Sequence, residues 1–215
     1  MRPKKRLRKL EQSATSAMDR LLENTIALER TIASRQRDQA VGYLAIELQN
    51  TWSQFARSFF LACAFHATRG SGGRIATTAY CPDERTALAL IIPIWRPSAT
   101  LLSNGSWHRR DEPAWHDPNV ILKCLTKIGA SNLADVQAGL SSGSRALTDL
   151  PVFRNFFAHR NRQTEAAAMK IAPNYGIPAT FRPSRILLER GTGRPHSLLR
   201  DWVGDIRFTI QYLCS

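Results

Sequence analysis

The chain has 215 residues, enough for one domain whose core needs no disulfide. Thirty basic residues face 17 acidic ones, a formal charge of +13, which favours a polyanionic partner, most simply RNA or DNA. No apolar run approaches the roughly 18 residues of a membrane span, and the basic start leads into polar residues rather than a signal-peptide core, so a cytoplasmic protein is expected.

Residues 2–9 hold six basic residues and no acidic one. They predict a flexible basic arm over residues 1–10, followed by a single domain over 11–215. Met18, Leu21, Leu22, Ile26, Leu28 and Ile32 recur at steps of about three and four, predicting a helix over 11–36. A second helix is predicted over 38–66. Its apolar stripe is Val41, Ala45, Leu48, Trp52, Phe55, Phe59 and Ala62. A second stripe on the same helix holds Tyr43, Glu47, Asn50, Gln54 and Arg57. It is either solvent-facing or the lining of a polar cleft, where a charged residue holds Arg154 in a working rotamer. Arg69-Gly70-Ser71-Gly72-Gly73 stops this helix and has neither the lysine nor the preceding strand of a phosphate loop.

Residues 69–116 read as an irregular insertion. The apolar run 86–95, broken by Pro93, is helix or buried extended chain, and periodicity does not choose between them. His108, Asp111, Glu112, His116 and Asp117 cluster, but their spacing fits no common metal-ligand set, so a surface loop with no metal is expected. Asp117-Pro118 opens a helix as N-cap and first position, and Gly129 stops it. A short helix follows over 131–140. Four cysteines (Cys63, Cys81, Cys124 and Cys214) form no CxxC pair and are expected to be reduced and buried. Helix is predicted from Leu150-Pro151 to Lys170, and irregular or extended chain over 175–194 with a possible strand at 186–188. A closing helix is predicted over 194–213.

The segment from Leu150 to Asn161 carries the chemistry. On a helix, Asn155 and His159 are one turn apart on one face, and a long Arg154 can reach round toward them. Phe153, Phe156 and Phe157 anchor the segment. A partly enclosed histidine can exchange protons near neutral pH. A guanidinium can hold a phosphate through parallel hydrogen bonds, and Asn155 can fix the imidazole or the substrate. These groups suit RNA cleavage without a metal or other cofactor. The histidine serves the ribose 2′-hydroxyl or the leaving 5′-oxygen, and the arginine stabilises phosphorane charge. One histidine is half of an acid–base pair, which a symmetric dimer would complete.

Arg154-Asn155-Phe156-Phe157-Ala158-His159 resembles the signature of the HEPN superfamily (higher eukaryotes and prokaryotes nucleotide-binding domains). Its members are small helical bundles with an arginine, a polar residue and then a histidine on a late helix. Arg160 fits the frequent basic residue after the histidine. The long earlier helix with Glu47 and Asn50 is also similar to the family arrangement. The resemblance implies an all-α, HEPN-like helical bundle with long antiparallel N-terminal helices. It also implies a metal-independent endoribonuclease acting as a homodimer. Arg154, Asn155 and His159 would be catalytic, and Arg160, Glu47, Asn50 and Arg57 would support or bind substrate. Such domains often serve as toxins or anti-phage defence effectors, restrained by an antitoxin or a nucleotidyltransferase-like companion. The competing readings are a catalytically inactive helical RNA-binding or protein-interaction module, and a DNA-binding regulator, for which no recognition-helix pattern stands out.

Overall fold

Helical periodicity organises nearly the whole chain. The computed structural model describes residues 6–32, 34–141 and 144–215. Among them nine α-helices form and no strand does. They are α1 (Leu7–Glu29), α2 (Arg35–Ala64), α3 (Glu84–Ile91), α4 (Pro118–Ile128), α5 (Leu133–Leu140), α6 (Ala146–His159), α7 (Arg162–Met169), α8 (Pro183–Leu188) and α9 (Leu198–Cys214). The fold is all-α. No described helix is long and apolar enough to cross a membrane.

The chain divides into two compact units. The first comprises the described residues of Met1–Ser13, Trp52–Gly143 and Thr209–Ser215, and the second those of Ala14–Thr51 and Ser144–Phe208. Helices α1, α2 and α9 each contribute to both.

In the first unit, the basic arm expected over residues 1–10 is already helical from Leu7; residues 1–5 lie outside the described residues. The reason is the apolar spacing, because Leu7 and Leu10 begin the buried stripe of α1. The Leu7 amide also donates to Thr68 O at 3.0 Å. The predicted apolar stripe of α2 is buried at every position, and Trp52, Phe55 and Phe59 form a run of ring contacts with centroids 5.6 and 5.7 Å apart. The insertion is irregular over most of residues 69–116, as expected, but it holds one α-helix and two short 3-10 helices. Residues 84–91 form helix rather than extended chain, because the Asp83 carboxylate accepts from Thr86 N at 2.7 Å and caps α3. Ala87, Leu88, Ile91 and Ile92 then enter the core. The cap of α4 is as expected, with Asp117 accepting from Asn119 N at 2.9 Å and Pro118 at the first position. Gly129 closes α4 at φ 61°, where an added Cβ would collide with the Thr78 side chain.

Residues 108–117 are pinned rather than a free surface loop. Trp115 packs on Phe60 with ring centroids 5.4 Å apart, and Trp52 Nε1 donates to His116 O at 3.1 Å. All four cysteines are free and buried, as expected. Burial pushes the Cys63 and Cys124 thiols up to about 12, so they stay protonated near neutral pH.

The second unit gathers Val41, Leu44, Ala45 and Leu48 of α2 with Leu150, Phe153 and Phe157 of α6, and Leu198, Trp202 and Ile206 of α9. Helices α1 and α9 run antiparallel here: Asp19 pairs with Arg207 at 2.8 Å, while Glu29 accepts from Ser197 at 2.6 Å and meets Arg200 at 3.6 Å. Residues 183–188 form α8 rather than a strand. Pro183 sits in its first turn, and Ile186 and Leu187 point into the core.

The segment around Pro151 also differs from its prediction. Helix α6 begins at Ala146, so Pro151 lies inside it rather than at its start. The amide proline lacks would have bonded Leu147 O, a local loss the packed helix tolerates. The helix stops at His159 instead of running to Lys170. Arg160 adopts the left-handed conformation (φ 47°) and its amide donates to Phe156 O at 2.6 Å. Asn161 then caps α7, its side chain accepting from Thr164 N at 2.9 Å. An asparagine that satisfies a helix-starting amide outweighs the helix preference of the alanine-rich run beyond it.

Candidate active site

Helix α6 presents its residues by simple rotation. With about 100° per residue, Ala146, Leu150, Phe153 and Phe157 share one face, and all are buried. Asn155 and His159 lie about 40° apart on the opposite face, and both are exposed. Arg154 falls on the flank between them and is half-buried. Its Nε is fully buried without a hydrogen-bond partner among the described residues. An arginine nitrogen withdrawn from water and left unsatisfied is costly, and an anion supplying an acceptor would relieve that cost. His159 is the last residue of α6, so the imidazole stands at the carbonyl end of the helix, open to solvent rather than enclosed as predicted. Arg160 follows it, exposed, in the left-handed cap.

The supporting residues separate into two groups. Glu47 and Asn50 lie in the same unit as Arg154, half-buried, with Asn50 Nδ2 donating to Glu47 Oε1 at a long 3.4 Å. No ion pair joins Glu47 to Arg154 among the described residues, so of the two alternatives for the stripe, a charged group on α2 holding that arginine is not seen at Glu47.

Arg57 belongs to the other unit and is already engaged. Its Nε donates to Glu112 Oε2 at 2.6 Å, and Nη2 to Glu112 Oε1 at 2.9 Å and Glu84 Oε1 at 2.6 Å. Burial opposes the charge, but these bonds outweigh it and hold the guanidinium above its ordinary pKa. Within its own unit, Arg57 is committed to Glu112 and Glu84.

Sequence reasoning passed over the groups that hold α6 in place. Asp149 is buried, one turn ahead of Phe153, and accepts from Tyr175 Oη at 2.9 Å. Arg145 stands 3.4 Å from the same carboxylate, and Trp202 Nε1 donates to Tyr175 Oη at 3.3 Å. Phe153 meets the Trp202 ring edge-on with centroids 5.5 Å apart. Burial, then the Asp149 charge and its hydrogen bond, push the Tyr175 phenol well above its usual range. The available signal was an aspartate among apolar residues, Asp149-Leu150, which needs a buried partner. On the α2 side, Phe157 packs against Gly42 so closely that an added Cβ would lie 2.7 Å from Cδ1. Together these contacts fix the backbone that carries Arg154 and His159.

Among the described residues, no group of three or more His, Cys, Asp or Glu side chains is arranged to hold a metal ion. No family model matches the chain, and neither the curated proteins nor the solved structures give a match.

Proposed function

We propose that this chain is a metal-independent endoribonuclease of the HEPN type, working on cytoplasmic RNA as a homodimer. The observation that carries the reading is Arg154: a half-buried guanidinium with a buried, unpartnered Nε, on the helix whose outer face presents Asn155 and His159. A phosphate is the acceptor such a group suits. The net charge of +13 gathers RNA around it.

In the reaction, a neutral His159 imidazole accepts the proton of the ribose 2′-hydroxyl. The 2′-oxygen attacks phosphorus, and the 5′-oxygen leaves with a proton from the protonated His159 of the second copy. The products are a 2′,3′-cyclic phosphate and a 5′-hydroxyl. Arg154 stabilises charge on the phosphorane oxygens. Asn155 orients the imidazole or the ribose, and Arg160 holds a neighbouring phosphate. DNA, without the 2′-hydroxyl, is not cut. Unrestrained cleavage of cellular RNA would make the protein a toxin or anti-phage effector, with an antitoxin or other restraining partner.

The test is RNA cleavage in EDTA, comparing the parent protein with His159→Ala and Arg154→Ala. Cleavage by the parent alone, with unchanged melting of both variants, supports the proposal. An inactive parent, or a His159→Ala protein that cuts equally well, refutes it.

A further inference from the structure

A pocket of about 550 Å³ opens in the second unit between the start of α2 and the segment around α8. Its wall includes Arg37, Arg182, Arg185 and Phe181, with Asp38 and Glu189 as the carboxylates. The volume suits a ligand of nucleotide size. Two of the arginines are unoccupied. Arg37 is half-buried with its Nε fully buried and unpartnered, and the exposed Arg182 side chain has no hydrogen bond or ion pair among the described residues. The third arginine has a different task. Arg185 lies over the Phe181 ring at 3.5 Å from its centroid, while Glu189 stands 3.6 Å from its Nε. The Arg185 side chain is 63% exposed, so the stack with Phe181 is open to a further planar group.

Two free guanidinia and a guanidinium–aromatic stack in one pocket match the two halves of a nucleotide. Phosphate takes parallel N–H donors, and a base stacks on an arginine plane. We propose that this pocket holds one phosphate-bearing nucleotide unit, with Arg37 and Arg182 on the phosphate and the base on the Phe181–Arg185 stack. The Asp38 and Glu189 carboxylates then face ribose hydroxyls or exocyclic amines as acceptors.

The position favours a nucleotide within single-stranded RNA. Arg37 lies five residues, about 7.5 Å of helix rise, from Gly42, where Phe157 of α6 packs. The pocket therefore borders the same stretch of α2 as the end of the helix that presents His159. For its RNA source, but not for its ligand chemistry, this subsite rests on the proposed ribonuclease.

The experiment is calorimetric titration of the His159→Ala protein, which leaves RNA intact under the proposed mechanism, with 5′-AMP, adenosine and an eight-nucleotide single-stranded RNA. AMP should bind and adenosine should bind at least about tenfold more weakly, the worth of one or two charge-assisted hydrogen bonds. Adding Arg37→Gln or Arg182→Gln should weaken AMP by about tenfold with unchanged melting. AMP that competes with the RNA identifies the RNA chain as the source. AMP that binds without competing supports the pocket and identifies a free nucleotide as its ligand. No AMP binding at millimolar concentration, adenosine binding as well as AMP, or arginine variants that bind like their parent would overturn the proposal. Retained AMP binding in a parent protein that cuts no RNA would remove the ribonuclease reading and leave the pocket. RNA cleavage with no AMP binding would do the reverse.

Discussion

Arg57 offers a sharp test, because its sequence position and its surroundings point to different roles. The Glu112 side chain is 4% exposed and that of Arg57 15%, so their two-point bond is largely removed from water. Glu84, at 45% exposure, adds a third, more weakly shielded contact. Replacing Arg57 with methionine keeps the aliphatic stem and removes the charge. Glu112 is then left with Trp115 Nε1 at 2.8 Å and a distant Arg109 at 3.8 Å.

Breaking a buried pair from one side costs about 3–5 kcal/mol, most of it from the stranded charge. Taking about 4 kcal/mol and a urea slope of about 2 kcal/mol per molar, the unfolding midpoint should fall by about 2 M. The double variant Arg57→Met/Glu112→Gln removes the stranded charge as well and should recover more than half of that loss. The raised Arg57 pKa gives stability that is complete below the unfolded value and is lost only as pH rises through the folded one. The arginine side of the pair therefore adds no pH dependence until strongly alkaline conditions. A midpoint shift below about 0.5 M for Arg57→Met, roughly 1 kcal/mol at that slope, would refute the reasoning. If cleavage were lost at the same time, Arg57 would return to the substrate-binding role that its stripe suggests.

The helix break and the buried phenol give two further predictions. Arg160→Gly relieves a left-handed Cβ conflict of about 1–2 kcal/mol and returns about 0.4–1 kcal/mol through the freer unfolded chain. Thermal or urea unfolding should therefore show a gain of about 0.5–1 kcal/mol, and a loss of stability would show that the Arg160 side chain holds the fold. Tyr175, whose pKa is raised, contributes stability that is complete below its unfolded pKa near 10 and lost as pH rises through the folded value. Alkaline titration followed by absorbance should show one of the four tyrosines ionising late. Stability should fall above about pH 10 in the parent and fall less steeply in Tyr175→Phe.

The legible parts of the fold were those set by local chemistry. The apolar stripe of α2 from Val41 to Ala62 followed from periodicity, because one buried face of a long helix repeats every three or four residues. Asp117-Pro118 and Gly129 bounded α4 because caps act within a turn. Reading went wrong where short-range and long-range demands competed. The alanine-rich run after Glu165 suggested one helix to Lys170, but Asn161 satisfies the start of a new one. Ile186-Leu187-Leu188 carries no period in three residues, and only packing on its unit decides for helix. The polar stripe of α2 concealed its partners for a different reason. Its spacing is real, but Arg57 meets Glu112 from 55 residues away, a contact no window of sequence reveals. The candidate site was half-legible: Arg154, Asn155 and His159 stood out by type, while the Asp149–Tyr175–Trp202 support depends on tertiary contact.

The end of α6 at His159 changes what the proposed chemistry requires. In a continuous helix the imidazole would have been shielded by the next turn, and its neighbours would have been fixed by helical geometry. At the last position, followed by a left-handed Arg160, it is open to water on the face away from the core. Water screens charge and competes for hydrogen bonds, so an exposed histidine alone makes a weak acid or base catalyst. Arg154 lies about 140° and 7.5 Å of rise away along the same helix, with its Nε turned inward. Enclosure of the imidazole, a second proton-transfer group and an approach to the scissile phosphate must therefore come from outside one α6. The RNA can supply the first in part, but it supplies no second acid or base. In the proposed mechanism a second copy of the chain would supply all three in a single step, which is why the homodimer is part of that proposal and not an addition to it.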